Sequence, residues 1–437
     1  MERRVFLKSG SLAASSLLLP LPLMAEEGKI KLAFLGTGWW GTDMLLPNAM
    51  SSGRFEIVGL CDVDSDALNK AADRIVEAGH ARPQLFSSHK KMYEMPGLQA
   101  VAIATPTYWH PLQFIDACDK GLHVFLEKPI SYDIREGQAM LEAQHKAKNV
   151  VQVDFPRIMV DTNDQVKAYI ESGEAGRILQ VQANINANVG PLVEKDIPET
   201  LDFETYCGPA PMKKYLCNKN SSKPNWRGQH DFSRGIMADW GIHYIHNIRR
   251  VLGLGLPDQA SAIGGNTKNL SMDNPDHLDV RFEFGGLPVY WSHKTWGFVS
   301  PLPDNNIGVF YFGEKATIFA GDLGWEVYPK NGSDKIAHGD VRFRSGDPDF
   351  MAVANNMIQK LFSEFAGGIV SNSNQDISNP LDDAQLTTSS VIFGDMAYRV
   401  KSGLTINQST MDIENNAEAQ ALLKREYRKP YQHPYSG

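Results

Sequence analysis

An apolar run from Lys29 to Leu35 leads directly into Gly36-Thr37-Gly38-Trp39-Trp40-Gly41, and a helix-like segment follows to about Ser51. A second apolar run, Phe55 to Cys61, ends in Asp62, 21 residues after the last of these glycines. Strand, glycine turn, helix, strand and terminal acid in this order are the opening of a dinucleotide-binding unit. Gly36 allows the tight turn, Gly38 lets backbone approach a pyrophosphate, and Gly41 lets the helix pack against its strand. The free N–H groups of the helix N-terminus face the phosphates. Asp62 stands where a carboxylate accepts both ribose hydroxyls and repels a 2′-phosphate, so NAD is expected in preference to NADP. Trp39 and Trp40 are bulky for such a loop. Packing beneath the turn is the expectation for them, with contact along the cofactor as the alternative.

The alternation continues. Helical patterns over 67–78, 111–120 and 134–147 separate apolar strands at 99–104, 123–126 and 150–153. Such alternation predicts an α/β Rossmann domain over 29–155, built on a parallel sheet with right-handed crossovers. After about Phe155 the pattern changes to one helix, 162–172, and then a block of short strands at 178–184, 278–284, 288–292, 309–312 and 316–320. A block of strands without interleaved helices predicts an α+β domain over 156–437 with a largely antiparallel open sheet. Its C-terminal segment is free to pack back on the Rossmann domain, and 371–379 reads as a polar loop.

Lys and Arg number 43 against 51 Asp and Glu, a net charge of −8. No basic excess is available to neutralise phosphates, which argues against a nucleic-acid partner. Cys61, Cys118, Cys207 and Cys217 show no metal-ligand spacing, so no metal site is expected. The chain opens Met1-Glu2-Arg3-Arg4-Val5-Phe6-Leu7-Lys8, followed by an Ala/Ser/Leu-rich stretch and Leu23-Met24-Ala25. A basic start, an apolar centre and small residues before a cut at Ala25 make residues 1–25 an expected signal peptide. It resembles a twin-arginine signal, with Glu2 where that pattern carries Ser or Thr. The expected location is periplasmic or otherwise exported, with no membrane contact after cleavage. There Cys207 and Cys217 could pair across a short loop.

Two loops leave the carboxyl ends of the later strands, where ligands sit in parallel sheets. They are Thr105-Pro106-Thr107-Tyr108-Trp109-His110 and Glu127-Lys128-Pro129. With the glycine turn, they make the chain resemble the Gfo/Idh/MocA family, that of glucose–fructose oxidoreductase, inositol dehydrogenase and the rhizopine-catabolism protein MocA. The resemblance runs from about Lys29 to Lys429. It takes in Ser172 to Gly176, Gly208-Pro209 and Tyr427-Arg428-Lys429-Pro430. It implies that Thr105, Pro106, His110, Glu127 and Lys128 flank a nicotinamide. It also implies that the second sheet walls a substrate cleft and serves in a homo-oligomer.

Between the strands of the second domain lies Asp239-Trp240-Gly241-Ile242-His243. Four residues apart on a helix, Asp239 and His243 share one face, while Ile242, Ile245 and Ile248 take another. The resembled family carries an Asp-x-x-x-His pair here, its histidine moving the substrate proton. Oxidising a secondary alcohol sends a hydride to the nicotinamide and a proton to a base. His243 is the expected base, Lys128 stabilises the oxygen, and Asp239 binds a neighbouring hydroxyl or tunes His243. Trp226, Arg227, His246 and Arg157 are expected at the substrate, Asp154 standing where relatives often have glycine. His246 could instead simply pack. The expected function is hydride transfer between a tightly held nicotinamide cofactor and a secondary alcohol of a sugar, polyol or glycoside. The alternative is an NAD-dependent glycosidase that works by transient oxidation and elimination.

Overall fold

The computed structural model describes residues 28–436 apart from 188–189, 269–270, 298–299, 302–306, 323, 333 and 340–349. The expected signal peptide lies outside the described residues. The first domain holds β1 (Ile30–Leu35), β2 (Phe55–Cys61), β3 (Gln84–Phe86), β4 (Ala100–Ile103), β5 (His123–Leu126) and β6 (Val151–Val153). All pairings among them are parallel, in the order β3-β2-β1-β4-β5-β6. This is the doubly wound order, reversing between β1 and β4, and ligands bind outside the carboxyl ends at such a reversal. The strands inside the edge strand β3 are largely buried on both faces because helices cover both. The edge strand β3 was not expected from the sequence, since three residues at an edge carry no alternation to read.

The second domain adds β7 (Ile178–Asn186), a small ribbon of β8 (Leu192–Glu194) and β9 (Leu216–Asn218), and β10 (Gln259–Gly265). It continues with β11 (His277–Phe284), β12 (Leu287–Lys294), β13 (Ile307–Gly313), β14 (Ala316–Gly321), β15 (Gly324–Pro329), β16 (Ala337–His338) and β17 (Leu404–Thr405). The large sheet runs β16-β15-β14-β13-β7-β12-β11-β10-β17. Only β7 with β12 pairs parallel. The α/β plus largely antiparallel α+β architecture is therefore as expected. Val181, Val280, Trp291, Tyr311 and Ile318 alternate onto one face of this sheet and are buried, packed in one core with Ile242, Ile245 and Ile248 of the helix Ile242–Leu252.

Two long helices, Phe350–Ser371 and Leu381–Val400, go beyond the sequence expectation. The second is buried nearly all round, including Thr387, Thr388, Ser389 and Ser390. An all-round burial leaves no amphipathic stripe in the sequence. The first packs into the Rossmann core, with Phe362 stacked on Phe125 at 4.1 Å between ring centroids and edge-on to Phe55 at 5.8 Å. The linear boundary at 156 is thus crossed by a helix that belongs, by packing, to the first domain.

The chain returns to the first domain again at its end. Arg425 pairs with Glu136 at 2.9 Å and its backbone N–H donates to Asp133 at 3.0 Å. Asp133 and Glu136 already form the capping box of the helix Ile134–Ala147. The backbone N–H of Arg428 donates to the carbonyl of Pro209 at 2.9 Å. A Cβ on Gly208 would lie 2.4 Å from the Trp109 indole, so glycine permits this junction. Cys207 and Cys217 are both buried free thiols, so the structure contains no bridge between them. Among the described residues no helix is long and apolar enough to cross a membrane.

Candidate active site

Strand register builds the site. Leu35 pairs with Cys61 and Ile103, Ile103 with Leu126, and Leu126 with Val153. The residues one step further therefore form a row along the carboxyl edge: Asp62, Gly36, Ala104, Glu127 and Asp154. Neighbours in this row keep the ladder going, since Glu127 N–H donates to Ile103 O at 3.0 Å and Asp154 N–H to Leu126 O at 2.8 Å.

The glycine turn fits a dinucleotide. A Cβ on Gly36, whose φ is +94°, would lie 2.7 Å from the Ala104 carbonyl, and one on Gly41 would lie 2.2 Å from the Gly36 oxygen. A Cβ on Gly38 would meet nothing within 4 Å. Gly36 and Gly41 are thus needed by the protein itself, whereas the space at Gly38 is open to a ligand that approaches the backbone. Asp62 accepts from Thr37 N–H at 2.6 Å and Thr37 Oγ1–H at 3.0 Å, which closes the turn onto the end of β2. Burial raises its carboxyl against these hydrogen bonds. Gly38→Ala is expected to fold like the wild type yet bind NAD at least tenfold more weakly by titration calorimetry. Gly41→Ala is expected to lower stability by about 1–3 kcal/mol in urea, the cost of overpacking.

The expected packing fails for Trp39 and holds for Trp40, which is half-buried against the Rossmann core. Trp39 is 64% exposed. Trp40 sends its indole across the row, where Nε1–H donates to Glu127 and, at 3.2 Å, to Asp154.

Lys128 reaches over from the end of β5. Its Nζ donates to the backbone oxygen of Asp239 at 2.5 Å and to its carboxylate at 3.2 Å. Asp239 lies in a π-turn, Met237–Gly241, that runs into the helix Ile242–Leu252. A second π-turn, Trp40–Leu45, follows the glycine loop. Such turns are frequent at functional sites. Arg227 Nε pairs with the same Asp239 oxygen at 3.0 Å, and its guanidinium lies 4.4 Å over Trp226. Burial alone would raise the Asp239 carboxyl, but Arg227 and Lys128 hold it well below the usual carboxylate range. His243 is 6% exposed, and its Nδ1 is buried without a hydrogen-bond partner. Burial, then Lys128, Arg157 and His246, draw its imidazole well below 6.5, so the ring is neutral. Lys128, Asp239, His243, Trp226 and Arg227 thus converge on one place.

Three expected site residues are placed otherwise. His246 is fully buried, stacked on Phe155 at 4.1 Å, with ring nitrogens 3.0 Å from Thr387 Oγ1 and 3.1 Å from Asn379 Oδ1. It is a packing residue, because its helix turns that face to Leu381–Val400. His110 lies between the carbonyls of Thr105 and Pro129, each 2.8 Å from a ring nitrogen. Burial draws it down to about 4 against the pull of those carbonyls. It ties the two loops together and has no nitrogen left for a coenzyme, while Thr105 Oγ1–H donates to Gln113 at 2.6 Å. Pro106 stands at the start of the short turn Thr107–Trp109. Arg157 pairs with Asp322 at 2.8 Å and lies 5.0 Å over Trp240, so its charge is satisfied within the protein. Sequence reading missed Asp322, which lies 165 residues away from Arg157 at the far end of β14.

Residues 30–155 match the model described as the oxidoreductase family's NAD-binding Rossmann fold, GFO_IDH_MocA. Residues 179–263 match the same family's C-terminal alpha/beta domain. A glycosyl hydrolase family 109 protein of Stenotrophomonas maltophilia is 32% identical over 151 residues, 33% of each chain. An inositol 2-dehydrogenase of Gluconacetobacter diazotrophicus is 30% identical over 176 residues, 39% of this chain and 50% of that one. The chain thus spans a third to a half of the length of these two relatives. An oxidoreductase from Agrobacterium radiobacter, solved in complex with NAD+, L-tartaric acid and magnesium, superposes with a TM-score of 0.64. It is 16% identical, over 86% of this chain and 98% of that one. Both matched segments come from one family, and they coincide with the glycine turn and with the opening of the second sheet: over residues 30–155 and 179–263 the chain matches the Gfo/Idh/MocA oxidoreductases, the first segment being their NAD-binding domain.

Proposed function

We propose that this chain is an exported oxidoreductase that moves a hydride between a tightly held NAD and a secondary alcohol of a sugar, polyol or glycoside. The observation that carries the reading is the convergence of Lys128, Asp239 and a buried neutral His243 at the carboxyl edge of the NAD-binding sheet. Bound NAD supplies the hydride-accepting carbon. His243, neutral and with an unpartnered nitrogen, takes the proton of the reacting hydroxyl. Lys128 donates to the same oxygen as negative charge grows on it. Asp239, held as a carboxylate by Arg227 and Lys128, accepts from a neighbouring hydroxyl and so orients the substrate. Trp226, beneath Arg227, offers an aromatic face to a sugar ring. The inositol 2-dehydrogenase relative supports a polyol or sugar substrate.

Export is supported by the arginine pair and apolar stretch of residues 1–25. Scarce free NAD outside the cytoplasm favours retention of the coenzyme through turnover. Purified protein is expected to release NAD on denaturation, detected by absorbance and mass. Protein that holds no nucleotide and binds none on addition ends the reading.

The glycosyl hydrolase family 109 relative favours a second reading, a glycosidase that begins with the same hydride step. A nitrophenyl glycoside without added acceptor separates the two. Release of nitrophenol with no net NADH supports the glycosidase, whereas accumulation of reduced coenzyme with the glycoside intact supports the dehydrogenase.

A further inference from the structure

Glu127 and Asp154 stand side by side at the ends of β5 and β6, because the register pairs Leu126 with Val153. Both are buried, at 7% and 1% exposure. Both carboxyls accept from the single N–H of Trp40, which brings them together out of water. Asp154 Oδ1 is buried without a hydrogen-bond partner. Two carboxylates crowded on one N–H and out of water cannot both ionise. Burial raises both groups, and the neighbouring Lys128 opposes this. The pair therefore holds one proton and one negative charge.

The other side of the row carries the opposite excess. Lys128 and Arg227 both pair with the one carboxylate of Asp239, leaving one positive charge over. Arg157 and Asp322 cancel each other. The indole of Trp40 reaches from the glycine turn across β4 to the pair. An oxidised nicotinamide ring is a cation and a reduced one is neutral.

We propose that Glu127 and Asp154, anchored by Trp40, form a one-proton dyad whose charge offsets the Lys128–Arg227 excess and so favours the oxidised over the reduced coenzyme in the site. The proposal rests on the NAD-binding reading of the first domain. At an effective dielectric of about 20, two unit charges at a separation of about 6–8 Å interact strongly enough to change an affinity ratio by roughly thirtyfold to a hundredfold. Asp154 is this chain's own contribution, since a lone Glu127 beside Lys128 has no second carboxyl with which to hold a proton.

The test is the dissociation constant for NAD+ and for NADH, measured separately by titration calorimetry at pH 7. Wild type is expected to bind NAD+ no more weakly than NADH. Glu127→Gln/Asp154→Asn removes the charge and keeps the shape. It is expected to weaken NAD+ relative to NADH by tenfold or more, with NADH changed less than threefold. Asp154→Asn alone leaves Glu127 as the anion and is expected to move the ratio less than threefold. If the double amide does not fold, Glu127→Gln/Asp154→Gly carries the same expectation. A double variant that weakens both forms equally, or leaves the ratio within twofold, overturns the dyad's role. So does an Asp154→Asn variant whose ratio matches that of the double variant. Wild-type protein that binds neither form fails the NAD reading itself, which is a different result from any of these.

Discussion

Lys128→Met is expected to lower kcat/KM for the alcohol by about a thousandfold while the protein still binds NAD, NAD+ no more weakly than the wild type does. Loss of one pre-placed donor to a developing oxyanion costs roughly 100- to 1000-fold, and an ammonium contributes charge as well as a hydrogen bond. The fold tolerates the change because Asp239 keeps Arg227 as a partner at 3.0 Å. The lost donation to the Asp239 backbone oxygen costs about 1–3 kcal/mol. His243→Ala removes the base and is expected to cost about 100- to 10,000-fold in kcat. His246→Asn, by contrast, replaces a packed ring 0% exposed and is expected to act on stability rather than on kcat. Steady-state kinetics beside a direct NAD titration separates these outcomes. A Lys128→Met enzyme within tenfold of wild type would remove the ammonium from the chemistry.

Acid should unfold the protein steeply, beginning just below neutrality. Burial draws His230 and His293 down to about 4 and His246 to about 3, and holds His243 well below 6.5. In the unfolded chain all four titrate near 6.5. As pH falls through that value the unfolded state takes up protons that the native state refuses, so stability present above about pH 7.5 is lost progressively toward pH 4. The Glu127–Asp154 pair works the other way, since burial raises both carboxyls and so favours a bound proton in the native state. Over these groups the difference is about two to three protons taken up on unfolding near pH 5.5, or roughly 3–4 kcal/mol per pH unit, and His110, also drawn down to about 4, adds to it in the same direction. That is a large part of an ordinary domain's stability. Urea midpoints measured between pH 7.5 and 5 should fall throughout. A flat midpoint across that range would show that these imidazoles are not held neutral.

The legible part of the site was local. A glycine needed against Gly36 or Ala104, an acid at the end of β2 and a lysine at the end of β5 are each fixed by chain direction and strand length. The Asp239–His243 spacing was legible for the same reason, because four residues stay on one face whether the turn is α or π. The helix Phe350–Ser371 was not, since its apolar face is matched to Phe55 and Phe125, hundreds of residues upstream.

The N-terminal sheet, its glycine turn, Asp62 and the candidate pair Lys128 and His243 follow from residues close in the chain, whose spacing alone sets which face or strand end they occupy. Partnership was settled by folding. Glu127 meets Asp154 only through the β5–β6 register. Arg157 meets Asp322 across 165 residues. His246 turns away from the cleft because Thr387 and Asn379 wait for it. A side chain's charge and reach are written in its own position, but its protonation and its freedom to bind depend on neighbours that long-range packing supplies.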